Sequence, residues 1–138
     1  MAETAPGAGS RRVLIVDDEV QLARVFSRAL NDYQVICCST GKAALDRFES
    51  EGFDAFDVIV CDLLMPEMNG MELFAAVRAA SPTAARRMIF MTGGTFTDAA
   101  RDFLDSITNT TLLKPFKLPE LRRAIAGVLA LPASGPGG

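Results

Sequence analysis

Val58-Ile59-Val60-Cys61-Asp62-Leu63-Leu64-Met65-Pro66-Glu67-Met68-Asn69-Gly70 is the stretch that decides the fold. Its opening apolar run is too short for a helix and rich in β-branched residues, so it reads as a strand buried on both faces. The run ends abruptly in a carboxylate, Asp62. Pro66 forces the chain out of regular structure, and Asn69-Gly70 is turn or cap chemistry ahead of an amphipathic segment. Asp62 therefore stands at the C-terminal end of a central strand, the edge where open α/β sheets gather ligands. A lone Asp at such a place more often caps the following loop. The rest of the chain decides between the two.

Upstream, Arg12-Val13-Leu14-Ile15-Val16 forms another buried strand and runs into Asp17-Asp18-Glu19. Val20, Ala23, Val25-Phe26 and Ala29-Leu30 follow at helical spacing until Asn31-Asp32 stops them. Tyr33 to Cys38 reads as a strand, and Ser39 or Thr40 caps a helix carrying Ala43-Ala44, Leu45 and Phe48. Downstream, Met71 to Ala80 is a helix closed by Ser81-Pro82, and Met88-Ile89-Phe90-Met91 is a buried strand ending in Thr92-Gly93-Gly94. Thr97 or Thr95 caps a helix through Ala99-Ala100, Phe103 and Leu104. Thr110-Thr111-Leu112-Leu113 is a short last strand before Lys114-Pro115-Phe116, and residues 118–131 form the final helix. Strands that are continuous apolar runs, alternating with amphipathic helices, predict an α/β fold. It is a doubly wound five-stranded parallel sheet with helices on both faces and right-handed crossovers.

Composition narrows the function. The 138 residues are 49% hydrophobic and 22% charged, enough for one domain with a real core. Residues 1–10 and 132–138, rich in Pro, Gly, Ser and Ala, are expected to be a disordered leader and a disordered tail or linker start, leaving 11–131 as the domain. A net charge of −3 argues against a nucleic-acid surface. No apolar run approaches the roughly 18 residues of a membrane span, and the N-terminus lacks a signal-peptide core, so the cytoplasm is the expected compartment. Cys37, Cys38 and Cys61 lack metal-ligand spacing and read as free buried thiols. With no histidine in the chain, imidazole acid–base catalysis, most zinc sites and a phosphohistidine of its own are excluded.

In a parallel sheet the residue after each strand lies on one rim. Those positions hold Asp17-Asp18, Asp62, Thr92 and Lys114. Crowded carboxylates repel one another at neutral pH, and a hard divalent cation with oxygen ligands relieves the repulsion. Mg²⁺ suits them best, since it takes one or two carboxylates and keeps waters and phosphate oxygens. An Asp beside Mg²⁺ can attack a phosphoryl group and become an aspartyl-phosphate. The Lys114 ammonium and the Thr92 hydroxyl would then stabilise the transferring group.

From Val13 to about Leu131 the chain resembles the receiver domain of two-component response regulators, the chemotaxis-receiver-like family. The resemblance rests on Val16-Asp17-Asp18-Glu19, Asp62 through Gly70, Met91-Thr92-Gly93-Gly94 and Lys114-Pro115-Phe116. It implies a flavodoxin-like strand order of 2-1-3-4-5, with Asp62 as phosphoacceptor. It makes Asp18 a direct Mg²⁺ ligand, Asp17 a ligand mainly through water, and the Leu64 backbone carbonyl the last protein ligand. Lys114 would pair with the phosphoryl group, Thr92 would move to hydrogen-bond it, and the Lys114–Pro115 bond would be cis. The implied partners are a histidine kinase or phosphotransfer protein, plus a downstream protein on the face of the fourth of the expected helices, the last strand and the last helix. The implied domain catalyses only its own phosphorylation and dephosphorylation.

Two departures from the family pattern stand out. Where the family carries an aromatic residue or histidine three before the lysine, this chain has Thr111. Signalling through an aromatic switch is therefore expected to be weakened, or replaced by motion of Thr92-Gly93-Gly94-Thr95. Leu64 and Gly94 occupy the positions that tune aspartyl-phosphate hydrolysis, and neither orients a water, so a long-lived phosphoryl group is expected. The short stretch after residue 131 is not expected to hold an effector domain, so a stand-alone receiver, or one excised from a longer protein such as a hybrid histidine kinase, is the expectation. Other classes remain alongside. A pseudo-receiver that binds partners without phosphorylation, or a phosphate sink, shares this sequence pattern. An aspartate-nucleophile phosphohydrolase needs an acid two residues after the nucleophile, where Leu64 stands. A flavodoxin-type cofactor binder needs a phosphate loop where this chain has three acids.

Overall fold

The computed structural model describes residues 11–94 and 97–131. Its elements run β1 (Arg12–Val16), α1 (Val20–Ala29), β2 (Gln34–Cys38), α2 (Gly41–Glu51), β3 (Val58–Asp62), α3 (Gly70–Ala80), α4 (Pro82–Arg86), β4 (Met88–Thr92), α5 (Asp98–Ser106), β5 (Thr111–Leu113) and α6 (Leu118–Leu129). The strands form one sheet in the order β2-β1-β3-β4-β5, every pairing parallel. This is the doubly wound flavodoxin-like arrangement expected from the apolar runs.

The two-residue period of the strands builds two cores. Leu14, Val16, Ile59, Cys61, Met88 and Phe90 face α2, α3, α4 and α5. Val13, Ile15, Val58, Val60, Ile89 and Met91 face α1 and α6 through Ala23, Phe26, Leu121 and Ile125. All five residues of β3 are buried, as are all five of β4, which is why each reads as an unbroken apolar run. Phe90 meets Phe74 and Phe103 edge-on at 5.8 and 5.3 Å, tying α3, β4 and α5 together.

Several local expectations are corrected. Ser81-Pro82 does not simply end α3; the Ser81 hydroxyl accepts from the Ala84 N–H and Pro82 opens α4. Proline is at home there because its missing N–H is one that a first turn leaves unbonded anyway. In α1 only Ala23 and Phe26 are buried, while Val20 and Val25 point to solvent. Cys37 is exposed, because β2 is an edge strand, whereas Cys38 and Cys61 are buried as expected. The last helix ends at Leu129 rather than at 131. Thr40 and Thr97 are the caps, accepting from the Ala43 and Ala100 N–H groups. The expected leader and tail, and the alternative cap Thr95, lie outside the described residues.

Candidate functional site

The C-terminal rim of the sheet gathers the polar residues. Asp17 follows β1 and stays in register, its N–H donating to the Cys38 carbonyl at 3.0 Å. Its side chain is fully buried, with Oδ1 accepting from the Glu19 N–H at 2.9 Å. Asp62 ends β3, and its Oδ1 accepts from the Leu64 N–H at 3.2 Å. The loop beyond is drawn tight: the Gly70 N–H donates to the Leu63 carbonyl at 2.9 Å, and Glu67 takes a left-handed φ of 64°. A Cβ on Gly70 would sit 2.7 Å from the Asp62 carbonyl oxygen, so only glycine allows α3 to start against the strand end.

Lys114 enters from β5. Its N–H donates to the Thr92 carbonyl at 2.7 Å, and its peptide bond to Pro115 is cis. Phe116 stacks on Phe26 of α1 with ring centres 5.2 Å apart, which holds the loop against the first helix. The ammonium nitrogen then reaches Glu19 Oε1 at 2.7 Å, Asp62 Oδ2 at 3.0 Å and Asp17 Oδ2 at 3.3 Å. Asp18 is exposed beside them, and one carboxylate oxygen from each of Asp17, Asp18 and Asp62 lies within 4.8 Å of the others.

Electrostatics follow from this crowding. Burial pushes the Asp17 carboxyl up to about 6; the Glu19 N–H and the Lys114 charge oppose the rise, and the Asp62 charge adds to it. Burial works against the Lys114 ammonium, yet its bonds to Glu19 and Asp62 and the field of the acids outweigh that and push its pKa up. Burial, then the neighbouring acids, push the Cys61 thiol upward too, so it stays protonated and inert. The donor set fits a hard cation: three carboxylates, no imidazole or thiolate ligand, and one ammonium that does not neutralise them.

The Thr92 hydroxyl is buried with no hydrogen-bond partner among the described residues. Leaving such a group unpaired costs on the order of 1–3 kcal/mol, so it is available to an incoming acceptor. Thr111 lies away from the rim, paired in register with Phe90 while Leu113 pairs with Thr92. It is exposed. Of the predicted residues, Asp17, Asp18, Asp62 and Lys114 come together, Thr92 ends the neighbouring strand, and Leu64 touches Asp62 through its N–H. Sequence reasoning missed Glu19 as a partner of Lys114; the only signal was a third acid directly after Asp17-Asp18.

A five-stranded doubly wound parallel sheet that gathers three carboxylates and one invading lysine at its C-terminal rim defines a class of α/β domain with its polar site at the sheet edge. The chain belongs to the response regulator receiver domain family, whose pattern matches residues 13–126. Response regulator ArlR of Staphylococcus haemolyticus is 34% identical over 119 residues, spanning 85% of this chain and 52% of that protein. The chain thus spans about half the length of this curated relative. The chemotaxis response regulator CheY4 of Vibrio cholerae superposes with a TM-score of 0.72 at 30% identity, covering 86% of this chain and 98% of that one. TrrA of Thermotoga maritima, solved in complex with Mg²⁺ and BeF, shares the fold with a TM-score of 0.71 at 23% identity, covering 86% of this chain and 99% of its own. Receiver domains are signalling domains that bind Mg²⁺ at the acidic pocket and interact with histidine kinases or phosphotransfer proteins. Among the described residues no helix is long and apolar enough to cross a membrane.

Proposed function

We propose that the 11–131 domain takes a phosphoryl group onto Asp62 from the phosphohistidine of a histidine kinase or phosphotransfer protein in the cytoplasm, and thereby switches a protein–protein contact. The observation that carries this reading is the Asp62 carboxylate itself. It is held between the Leu64 N–H and the Lys114 ammonium, within 4.8 Å of oxygens from Asp17 and Asp18. Asp18, Asp62, the Leu64 carbonyl and, through water, Asp17 would hold Mg²⁺, which when bound neutralises the acids and the incoming phosphoryl oxygens.

The ionised carboxylate attacks without a base. One bond from an Asp62 oxygen to phosphorus forms as the phosphorus–nitrogen bond of the donor breaks, and the electron pair leaves on the imidazole. Lys114 supplies positive charge to the transferred oxygens, as positioned electrostatics requires. Thr92 gains from the product an acceptor that its buried hydroxyl lacks. A groove of about 350 Å³ lined by Leu22, Phe26, Pro115 and Phe116 opens beside Lys114, and exposed Val20 and Val25 add apolar surface on α1 for the donor protein. The downstream partner is assigned to the face of α5, β5 and α6, where Thr111 and Leu113 are exposed. With Thr111 in place of an aromatic switch, motion of the Thr92-Gly93-Gly94 segment replaces ring rotation; exchange broadening confined to that segment on activation is the expected sign. The exposed Thr111 equally favours a second reading, a phosphate sink or a phosphorylation-independent interaction module.

Intact-mass spectrometry after incubation with acetyl phosphate, with and without Mg²⁺, tests the first reading. One Mg²⁺-dependent phosphoryl adduct that Asp62→Ala abolishes is expected. A Mg²⁺-independent adduct, or one surviving in the variant, would sink the assignment of Asp62. Absence of any adduct from both acetyl phosphate and a phosphorylated phosphotransfer protein would leave the interaction module.

A further inference from the structure

We infer that Glu19 is a positioning residue that restrains the unphosphorylated site by holding the Lys114 ammonium, and that it yields this ammonium to the phosphoryl group during transfer. The inference rests on the phosphoacceptor reading of Asp62 and adds a residue to it. An ammonium has three donor hydrogens. Lys114 faces three carboxylates, and its shortest contact is not to Asp62 or Asp17 but to Glu19, at 2.7 Å.

A phosphoryl group brings three acceptor oxygens, so Lys114 must give up an existing partner to meet it. Asp17 is a poor candidate to yield, since its side chain is fully buried and also tied to the Glu19 N–H. Asp62 is itself the acceptor and is covalently part of the product. The Glu19 side chain is 60% exposed, so water takes over its hydrogen bonds when Lys114 leaves. Glu19 is also the N-cap residue of α1, yet its side chain makes no capping bond. Its carboxylate is thus committed to Lys114 rather than to the helix.

Glu19 acts on the forward step in two ways. It occupies the donor that the phosphoryl oxygens need, and its charge repels an anionic phosphoryl donor at the mouth of the site. Once the phosphoryl group holds Lys114, Glu19 no longer touches the machinery, so hydrolysis is left unchanged. A residue that merely supported the fold would alter both directions or neither.

The test uses the full chain with Glu19→Gln, which keeps the shape and removes the charge, and Glu19→Asp, which keeps the charge and withdraws it by one methylene. Glu49→Gln, an exposed change on α2, controls for net charge. With acetyl phosphate and saturating Mg²⁺, both Glu19 variants should phosphorylate roughly fivefold faster at low donor concentration, mostly through a lower half-saturating concentration. Their aspartyl-phosphate lifetimes should stay within about twofold of wild type, the span of a small electrostatic change. Glu19→Asp behaving as wild type would overturn the holding role and leave only a charge effect.

A second readout does not depend on phosphorylation. In the metal-free protein the Lys114 ammonium resonance, observed by nitrogen-15 NMR, should be protected from exchange in wild type and in Glu49→Gln. That protection should fall measurably in both Glu19 variants, and most in Glu19→Asp, where only Asp62 and Asp17 still hold the ammonium. An unchanged resonance in those variants overturns the inference whatever the phosphorylation result, whereas no adduct in any protein, with the resonance altered, counts against the phosphoacceptor reading alone.

Discussion

Asp17 shows how a single residue can set the chemistry of the rim and its cost together. It is buried at the end of β1, where desolvation raises its folded pKa to about 6, above the value of 3.8 for a free carboxyl. A carboxyl with a raised folded pKa stabilises the fold fully below its unfolded pKa and loses that contribution as pH rises through the folded value. Between about pH 4 and pH 6.5 the metal-free protein should therefore lose on the order of 1–3 kcal/mol through this residue. Chemical denaturation in EDTA at a series of pH values should show that slope, and Asp17→Asn should flatten it. A variant with the wild-type slope would assign the pH dependence elsewhere. Gly70 imposes the opposite kind of constraint, steric rather than electrostatic. A methyl group there meets the Asp62 carbonyl oxygen at 2.7 Å and Leu63 Cα at 2.9 Å, both backbone atoms that cannot swing aside. Gly70→Ala should cost about 1–3 kcal/mol of unfolding free energy, as overpacking does, and should displace Asp62 as well. A urea midpoint within error of wild type would show that α3 can shift to make room.

At the level of elements, α5 is the most weakly anchored of the helices beside the site. Only Ala100 in it is buried, and its further hold on the core comes through half-buried Leu104 and Phe103, the latter meeting Phe74 and Phe90 edge-on, each at 5.3 Å. Phe103→Leu keeps apolar area but removes both ring contacts, and should cost about 1 kcal/mol. Phe103→Ala should cost about 2 kcal/mol, less than for a fully buried ring because Phe103 is only half-buried. Urea unfolding with an unchanged slope would measure both, and equal losses would show that the rings matter only as bulk. The elements also show what a sequence can and cannot reveal. β3 and β4 were legible because a strand buried on both faces must be apolar throughout, and that pattern has few rivals. The rim positions of Asp17, Asp62, Thr92 and Lys114 followed from strand ends alone. α4 was not legible, since Ser-Pro both stops one helix and starts another, and only the chain's path after residue 81 decides. Cys37 was misplaced because β2 lies at the sheet edge, a matter of strand order that local hydrophobicity does not carry. Glu19 escaped because its role depends on a lysine 95 residues away that the Phe26–Phe116 stack brings within reach.

For the whole molecule, the parallel sheet concentrates unlike costs at one end. Asp17, Asp18, Asp62 and Glu19 share a rim with a single ammonium, so the folded state holds a repulsion that the extended chain relaxes. A ligand that binds only the folded arrangement stabilises it by mass action, and the carboxylate triad exists only when β1 and β3 are paired. Mg²⁺ at about a hundred times its dissociation constant should then add roughly 2.7 kcal/mol. For a domain of this size that is a rise in melting temperature on the order of 10 °C. Asp18→Asn is the discriminating variant. Asp18 is exposed, so its loss should barely change the metal-free melting temperature, while removing a ligand should take away most of the Mg²⁺-dependent rise. Calorimetric scans of both proteins across a Mg²⁺ series would check this. If Asp18→Asn kept the full rise, the cation would be bound elsewhere, and the rim acids would have to be explained by Lys114 alone. If the metal-free variant melted far below wild type, Asp18 would be holding the fold rather than the ion. The expected pattern, no loss without Mg²⁺ and a lost rise with it, separates a site that the fold tolerates from one on which the fold depends.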